Sequence, residues 1–231
     1  MSKPKPSSLK SSLRKSITQV YRARNGAVNN LWLVYSIKTN KDLILPSDRQ
    51  LIHWLYYLET NHEVTSFDLA PEPILSKDDN ETRATELDAI VTKRDGTIEW
   101  HEVKAGKKTN DPAHESQMRA QINAASLTRV SYHRFNDLDF EPHIKEAVRW
   151  IKAINFASAI RDQDHFACRT TLVMTIKELK SGKIQIILDN LNGYDISVVL
   201  GILVRLAIEG IVNLNLKDKT FGLQTRWEYR G

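Results

Sequence analysis

The segment from Glu86 to Ala105 constrains the fold of this chain more than any other. Two runs rich in β-branched and apolar residues flank Arg94-Asp95-Gly96, where the glycine permits a tight reversal of the chain. This pattern predicts a β-hairpin. Because successive side chains of a strand point to opposite faces of the sheet, the register of the hairpin decides which polar groups meet.

The turn sequence is compatible with two registers. A two-residue turn at Asp95-Gly96 pairs Asp88 with Val103. The aspartate then points to the face opposite Glu102 and Lys104, which separates the charged groups. A three-residue loop, with the glycine in the left-handed conformation of a G1 bulge, shifts the pairing by one residue. We predict this second register, which gives four cross-strand pairs: Lys93 with Thr97, Ile90 with Trp100, Asp88 with Glu102, and Glu86 with Lys104.

Asp88, Glu102 and Lys104 form the candidate catalytic group. Directly opposed carboxylates repel each other unless a cation lies between them, and hard divalent ions such as Mg²⁺ take oxygen ligands of this kind. Lys104, on the same face, is suited to orient or activate a water, or to neutralise charge that develops on a phosphate. The alternative is a surface hairpin whose charged side chains are solvated.

Asp88, followed after thirteen intervening residues by Glu102-Val103-Lys104, resembles the PD-(D/E)XK nuclease signature. Upstream, a predicted helix over residues 47–60 ends in Leu58-Glu59, and a valine, an aromatic residue and prolines follow it before the hairpin. This order resembles the TnsA family, the endonuclease subunits of heteromeric cut-and-paste transposases. The resemblance covers about residues 45 to 125, and the C-terminal part more loosely.

The resemblance implies a metal-dependent DNA endonuclease that hydrolyses one strand, on the 5′ side, at transposon ends. Asp88, Glu102 and the backbone carbonyl of Val103 would hold Mg²⁺, with Mn²⁺ as a substitute, and Lys104 would assist the attacking water. The implied partners are double-stranded DNA of the transposon ends, a transposase subunit of the TnsB type and an AAA+ regulator of the TnsC type. Two alternatives remain: a stand-alone restriction or repair nuclease, and a non-catalytic DNA- or partner-binding module with a degenerate nuclease fold.

Gln50 departs from the family pattern, which commonly has a glutamate near the start of this helix. A glutamine can still bind a metal-bound water, but it adds no negative charge for a second ion. Ser47 and Gln50 also fit a capping box, which gives the glutamine a structural explanation. Glu59 is the other candidate acid, but it lies about half a turn away on the helical wheel, so we prefer Gln50 as the catalytic candidate.

Further candidates for contact with the DNA backbone are polar and basic. Lys107 and Lys108 precede a predicted helix over residues 114–128, on which Gln117 and Gln121 are one turn apart. Met1 to Arg24 contains seven lysines and arginines and no acid, so the rest of the chain sums to −2 although the net charge is +5. This basic segment predicts salt-sensitive, non-specific binding to phosphates, with the following arginines as candidates: Arg14, Arg22 and Arg24. A merely solubilising tail is the alternative.

The order of predicted elements is that of an α/β protein. We expect a basic arm over residues 1–24, a nuclease-like domain over 25–140, a helical linker over 141–168 and a C-terminal domain over 169–231. The family implies a restriction-endonuclease-like mixed sheet flanked by helices, followed by a winged-helix-like domain. Within the first domain we predict a long loop over residues 70–85 and a strand over 127–132.

The C-terminal part predicts helices over residues 172–179, 184–191 and 194–209, then a hairpin over 211–229. A recognition helix has to offer polar side chains to base edges, but the helix over 194–209 is almost entirely apolar. We therefore predict a helix buried in the core. Protein docking, or backbone contacts through basic residues of the hairpin, fits this domain better: Lys217, Lys219, Arg226 and Arg230.

Composition restricts the location of the chain. The single cysteine, Cys168, cannot form an internal disulfide and lacks the companions of a zinc site. The longest apolar run, Ile196 to Val204, is too short to span a bilayer, and the N-terminus has no hydrophobic signal core. The sequence therefore predicts a cytoplasmic protein with no membrane partner.

Overall fold

The structure, a computed structural model, describes residues 29–78, 81–106 and 112–231. Five predicted DNA-contacting residues lie outside these ranges: Arg14, Arg22, Arg24, Lys107 and Lys108. The described chain is mixed α/β and divides into two compact units, each built from more than one segment. The first contains Asp42–Leu51, Val64–Phe140 and the described residues before position 35, and the second contains Tyr35–Lys41, Ile52–Glu63 and Glu141–Gly231.

Strands predominate up to Phe140. The elements are β1 (Trp32–Ser36), β2 (Lys41–Leu45), α1 (Asp48–Ile52), β3 (Val64–Asp68), β4 (Ile74–Asp78), β5 (Glu81–Thr85), β6 (Ala89–Lys93), β7 (Ile98–Val103), α2 (Pro112–Thr128), β8 (Ser131–Phe135) and α3 (Asp137–Phe140). β1 pairs with β2, β4 pairs with β5, and a four-stranded sheet has the order β3-β6-β7-β8. This sheet is antiparallel except for the parallel pair of β7 and β8.

The hairpin of β6 and β7 has the three-residue loop that the sequence predicts. The Lys93 N–H donates to the Thr97 carbonyl at 2.9 Å, and the Gly96 N–H donates to the Lys93 carbonyl at 3.0 Å. Gly96 has a φ of +85°, and Ile90 lies opposite Trp100. Glycine adopts this left-handed conformation without the steric penalty of a Cβ, so the turn fixes the predicted register.

Helix α2 packs on the face of the sheet that carries Trp100. Leu87, Trp100 and Ala125 form a buried cluster there, and Ile90 and Tyr132 pack against it. The alternation of side chains along β7 therefore places residues 98, 100, 102 and 104 towards α2 and residues 99, 101 and 103 towards the other face.

The predicted loop over residues 70–85 is wrong. β4 and β5 form an antiparallel hairpin, with Ile74 opposite Thr85 and Asp78 opposite Glu81. Proline at 71 and 73 and several charged residues give this segment the composition of a loop, but strands that pair only with each other need no continuous apolar face.

The strand predicted over residues 127–132 begins later than expected. Helix α2 continues to Thr128, and Arg129 then adopts a φ of +57°, which ends the helix. The strand β8 starts at Ser131. Leu127 and Val130 are apolar, as expected of a strand, but Leu127 is 86% exposed on the last turn of α2.

The second unit contains helices and a small antiparallel sheet. Its elements are a π-helical segment (His53–Glu59), a 3₁₀ turn (Glu141–His143), α4 (Ile144–Ala159), α5 (Phe166–Leu179), β9 (Ser181–Lys183), α6 (Ile184–Asn190), α7 (Ile196–Ile208), β10 (Val212–Asn215) and β11 (Arg226–Tyr229). The strand order is β10-β11-β9. The predicted pairing of the last two strands is present, and β9 adds a third strand that the sequence did not predict.

Helix α7 forms the core of the second unit, as the sequence predicts. Nine of its thirteen residues are buried. Helix α4 lies directly against it at Gly201. A Cβ added there would be only 2.7 Å from the Phe156 carbonyl oxygen. Residues 141–168, expected as a linker, therefore pack into this unit. Gly210, with a φ of +85°, follows the end of α7, where a left-handed glycine commonly ends a helix.

None of the helices in the described ranges has both the length and the apolar character needed to cross a bilayer.

Candidate active site

Asp88 lies immediately before β6 and is 3% exposed. Its Oδ2 accepts a hydrogen bond from the Val103 N–H at 2.8 Å, and its Oδ1 accepts one from Nε2 of Gln50 at 3.3 Å. The Asp88 N–H donates to the carbonyl of His101, the partner of Ala89, at 3.1 Å, so the regular register of the hairpin ends at Ala89. Burial removes the water that would solvate this carboxylate, so a cation near it is favourable.

Gln50 combines a capped backbone with a side chain directed into the candidate site. Its N–H donates to Oγ of Ser47 at 3.2 Å, which is the serine half of the predicted capping box. The Gln50 side chain donates to Asp88. The backbone of Gln50 thus makes the capping contact, and its side-chain amide contacts Asp88.

Glu59 belongs to the second unit and is completely buried there. Its carboxylate accepts hydrogen bonds from Oγ of Ser36 at 2.6 Å and from the N–H groups of Ile37 and Lys38 at 2.7 and 3.2 Å. Burial raises the pKa of Glu59, although these hydrogen bonds and the charge of Lys38 oppose the shift. Glu59 thus holds the turn after β1, and Gln50 is the residue of this helical segment that contacts Asp88.

Glu102 and Lys104 are placed together at the end of β7. Glu102 is completely buried, and Nζ of Lys104 lies 2.5 Å from its Oε1. The Lys104 N–H donates to the Phe135 carbonyl at 2.9 Å, which continues the pairing of β7 with β8 beyond Val103. Taking the Glu102 carboxylate out of water carries a desolvation cost, which the close contact with the partly buried ammonium of Lys104 offsets.

The oxygen ligands of this group fit Mg²⁺, which is usually bound by one or two carboxylates and completes its shell with water. Asp88 and Glu102 supply two carboxylates, and the Val103 carbonyl is a third candidate oxygen. A cation at Glu102 would compete with Lys104 for the same oxygen. Among the residues that the structure describes, no group of three or more His, Cys, Asp or Glu side chains is arranged to hold a metal ion.

Gln121 is 1% exposed, and this geometry opposes its predicted contact with DNA. Its Nε2 donates to Oγ1 of Thr85 at 3.0 Å and to the Glu86 carbonyl at 3.2 Å, and its Oε1 accepts from the Tyr132 hydroxyl at 2.9 Å. The amide is therefore occupied inside the unit, where it joins α2 to the sheet. Gln117 is partly buried, and its Nε2 also donates to Thr85, at 3.1 Å.

The Tyr132 hydroxyl lies within the electrostatic reach of the acidic pair. Burial raises the pKa of Tyr132, the charges of Glu102 and Asp88 raise it further, and the charge of Arg134 lowers it. Sequence analysis missed Tyr132 and Arg134. Both lie on β8, which is distant from the hairpin along the chain and is brought beside it by a parallel pairing.

Asp137 is a further residue that sequence analysis missed. Its carboxylate binds the guanidinium of Arg49, with Nη2 at 3.0 Å from Oδ2, and accepts a hydrogen bond from the Gly106 N–H at 3.0 Å. Arg49 precedes Gln50, and Gly106 follows Lys104 by two residues. Asp137 therefore connects the helix that carries Gln50 with the chain that leaves β7.

No protein-family model matches this chain, and comparison with curated proteins finds no relative. The function is therefore argued from the arrangement of its own residues.

Proposed function

We propose that this chain is a metal-dependent DNA endonuclease with a restriction-endonuclease-like first unit. One observation carries the proposal: Asp88 and Glu102 are both buried at the same end of one hairpin, and Nζ of Lys104 lies 2.5 Å from Glu102. Glu102 and Lys104 lie together at the end of β7, and Asp88 immediately precedes the neighbouring strand β6. A solvated surface hairpin would not bury two carboxylates and a lysine in this way.

The proposed reaction is the hydrolysis of a DNA phosphodiester. The oxygen of a water forms a bond to phosphorus while the bond from phosphorus to the leaving oxygen breaks; the water loses a proton to solvent, and the leaving oxygen gains one. Mg²⁺, when bound to Asp88, Glu102 and the Val103 carbonyl, would polarise the phosphate and lower the pKa of water. Lys104, held by Glu102, orients the water or neutralises charge on the phosphate, and Gln50 holds Asp88 in position.

The proposed setting of this reaction is a heteromeric transposase. The helices and the three-stranded sheet of the second unit support a winged-helix-like domain, but nine residues of α7 are buried and α4 lies against that helix. A helix covered in this way has few side chains to present to base edges. We therefore propose that site selection comes from partners: a subunit of the TnsB type bound to the transposon ends, and an AAA+ regulator of the TnsC type. The cytoplasm is the proposed location.

Gln50 favours a second candidate function. An amide in place of an acid leaves two carboxylates at the site, as in a degenerate nuclease fold that binds DNA or a partner without cutting. The two functions differ in one measurable property. Only the enzyme requires a divalent cation at Asp88.

The experiment measures Mn²⁺ binding by electron paramagnetic resonance and nicking of supercoiled plasmid in Mg²⁺ or Mn²⁺, both on the full chain. Asp88→Asn and Lys104→Met are compared with Glu99→Gln, a control on the opposite face of β7. Nicking that both variants abolish and the control keeps supports a nuclease active by itself. Mn²⁺ binding that depends on Asp88, without nicking, supports a nuclease activated by partners. DNA binding without Mn²⁺ binding at Asp88 would overturn the enzyme proposal in favour of the binding module.

A further inference from the structure

Arg134 stands beside the candidate catalytic group on the neighbouring strand. In the parallel pairing of β7 and β8, Glu102 lies opposite Arg134 and Trp100 lies opposite Tyr132. Neighbours in a sheet share a face, so the Arg134 side chain is on the side that carries Glu102. Arg134 is partly buried.

Two neighbouring side chains, Met118 and Tyr132, locate the positive charge of Arg134. Its Nη1 lies 3.3 Å from Sδ of Met118 on α2, and a thioether is a weak acceptor. The charges of Glu102, Arg134 and Asp88 all affect the pKa of the Tyr132 hydroxyl. Arg134 therefore places a positive charge near the acidic pair, on the strand next to the one that carries Glu102.

Including Arg134 changes the net charge of the candidate site. Asp88 and Glu102 carry two negative charges, and Lys104 and Arg134 carry two positive charges, so the protein groups balance. Binding of a divalent cation then gives the site a net charge of two positive units. A phosphodiester under attack by hydroxide acquires a double negative charge, which this excess matches.

We propose that Arg134 binds the scissile phosphate of the DNA, an inference that rests on the proposed nuclease function. Arginine is suited to this role because its planar guanidinium can donate two parallel hydrogen bonds to phosphate oxygens. Lys104 is engaged by Glu102 at 2.5 Å, so it acts close to that carboxylate. Arg134 adds a second cation from the neighbouring strand, and the phosphate is bound between the two.

This role predicts opposite changes in the affinities for metal and for DNA. Removal of a positive charge beside Glu102 reduces the repulsion of a divalent cation, so Mn²⁺ should bind Arg134→Gln as tightly as the wild type or several-fold more tightly. The same substitution removes a charge-assisted contact, so duplex DNA should bind about tenfold more weakly in Ca²⁺. Nicking should fall by about 10²-fold in kcat.

The experiment compares Arg134→Gln, Arg134→Lys and the control Arg94→Gln, which removes an exposed arginine at the hairpin turn. Mn²⁺ affinity is measured by electron paramagnetic resonance, duplex affinity by fluorescence anisotropy in Ca²⁺, and nicking on supercoiled plasmid. Thermal unfolding confirms that each variant is folded. The lysine variant, which keeps the charge, should recover part of the duplex affinity and should not tighten Mn²⁺ binding.

Two results would overturn the inference about Arg134 alone. Unchanged duplex affinity in Arg134→Gln, with the wild type binding Mn²⁺ at Asp88, removes the phosphate contact but leaves the nuclease. Weaker Mn²⁺ binding together with a lower melting temperature assigns Arg134 a structural role as the partner of Glu102. A wild type that neither binds Mn²⁺ at Asp88 nor nicks DNA instead refutes the proposed function itself.

Discussion

The strand β7 carries a charged cluster on each of its two faces, and the two clusters differ in how their glutamates are neutralised. On one face, Glu99 contacts Nζ of Lys93 at 2.8 Å, Nε2 of His101 at 3.2 Å and Nε2 of His133 at 3.4 Å. On the other face, Glu102 is completely buried next to Lys104. Two glutamates three residues apart thus have different surroundings.

The pKa of Glu99 explains what the first cluster achieves. Burial by itself would raise the pKa of Glu99, but hydrogen bonds from Lys93 and His101 and the charges of His133 and Lys93 outweigh it, so the pKa is lowered. The carboxylate is ionised and satisfied by the protein. The charges of Asp88 and Glu102 are balanced by Lys104 and Arg134 in the proposed site, so a divalent cation and a phosphate under attack add as a second balanced pair.

The largest expected difference between the faces is in catalysis. Glu102→Gln should reduce plasmid nicking by on the order of 10³-fold or more, because it removes a proposed metal ligand and the partner that positions Lys104. Glu99→Gln should change nicking by less than about threefold, since Glu99 lies on the face of β7 away from the proposed reacting groups. Equal losses in both variants would show that the faces are not functionally distinct.

The second difference is in the pH dependence of stability. Burial lowers the pKa of His101 to about 4, although Glu99 opposes the shift. Between pH 6.5 and 4 the unfolded chain therefore binds a proton that the folded chain does not, and the free energy of unfolding falls as the pH drops. The loss attributable to His101 should reach up to about 3 kcal/mol.

Chemical denaturation at pH 7 and pH 4.5 tests this prediction with His101→Gln, which carries no titrating ring. The variant should lose less stability on acidification than the wild type. His133→Gln is the matched control, since its side chain is 46% exposed and gives up less water on folding. An identical acid response of wild type and His101→Gln would refute the assignment.

The third difference concerns the metal affinity of the catalytic face. Gln50→Glu would place a third carboxylate against Asp88, so Mn²⁺ should bind about tenfold more tightly. Gln50→Ala removes the hydrogen bond to Asp88 and should change the affinity less. Isothermal titration of the full chain measures both, and a Gln50→Glu variant with weaker Mn²⁺ binding would place Gln50 outside the metal site.

The smallest effect tests the turn that assigns residues to the two faces. Gly96→Ala meets no atom within 4 Å but is forced into a φ of +85°. The expected loss is about 1 kcal/mol of unfolding free energy, with the register kept. Urea denaturation measures the loss. A gain in stability would mean that the turn does not require a left-handed residue.

The hairpin was predictable because its information is local. Turn chemistry at Gly96 and the alternation of side chains determine the register within a few residues, and this register leaves Asp88 and Glu102 at the same end of the hairpin. Arg134 and Asp137 were not predictable, because a parallel pairing and a contact between residues 88 positions apart place them at the site. Gln121 appeared to be a surface residue, since the polar network that buries it depends on tertiary contacts with Thr85 and Tyr132.

The division of the chain into interleaved segments has a consequence for its evolution. The second unit takes Tyr35–Lys41 and Ile52–Glu63 from between parts of the first. A single recombination event can exchange a contiguous stretch of gene, but here any crossover after codon 140 separates the C-terminal helices from the segment that contains Glu59. A single crossover therefore cannot replace one unit intact while keeping the other, because each unit is encoded by separate stretches of the gene.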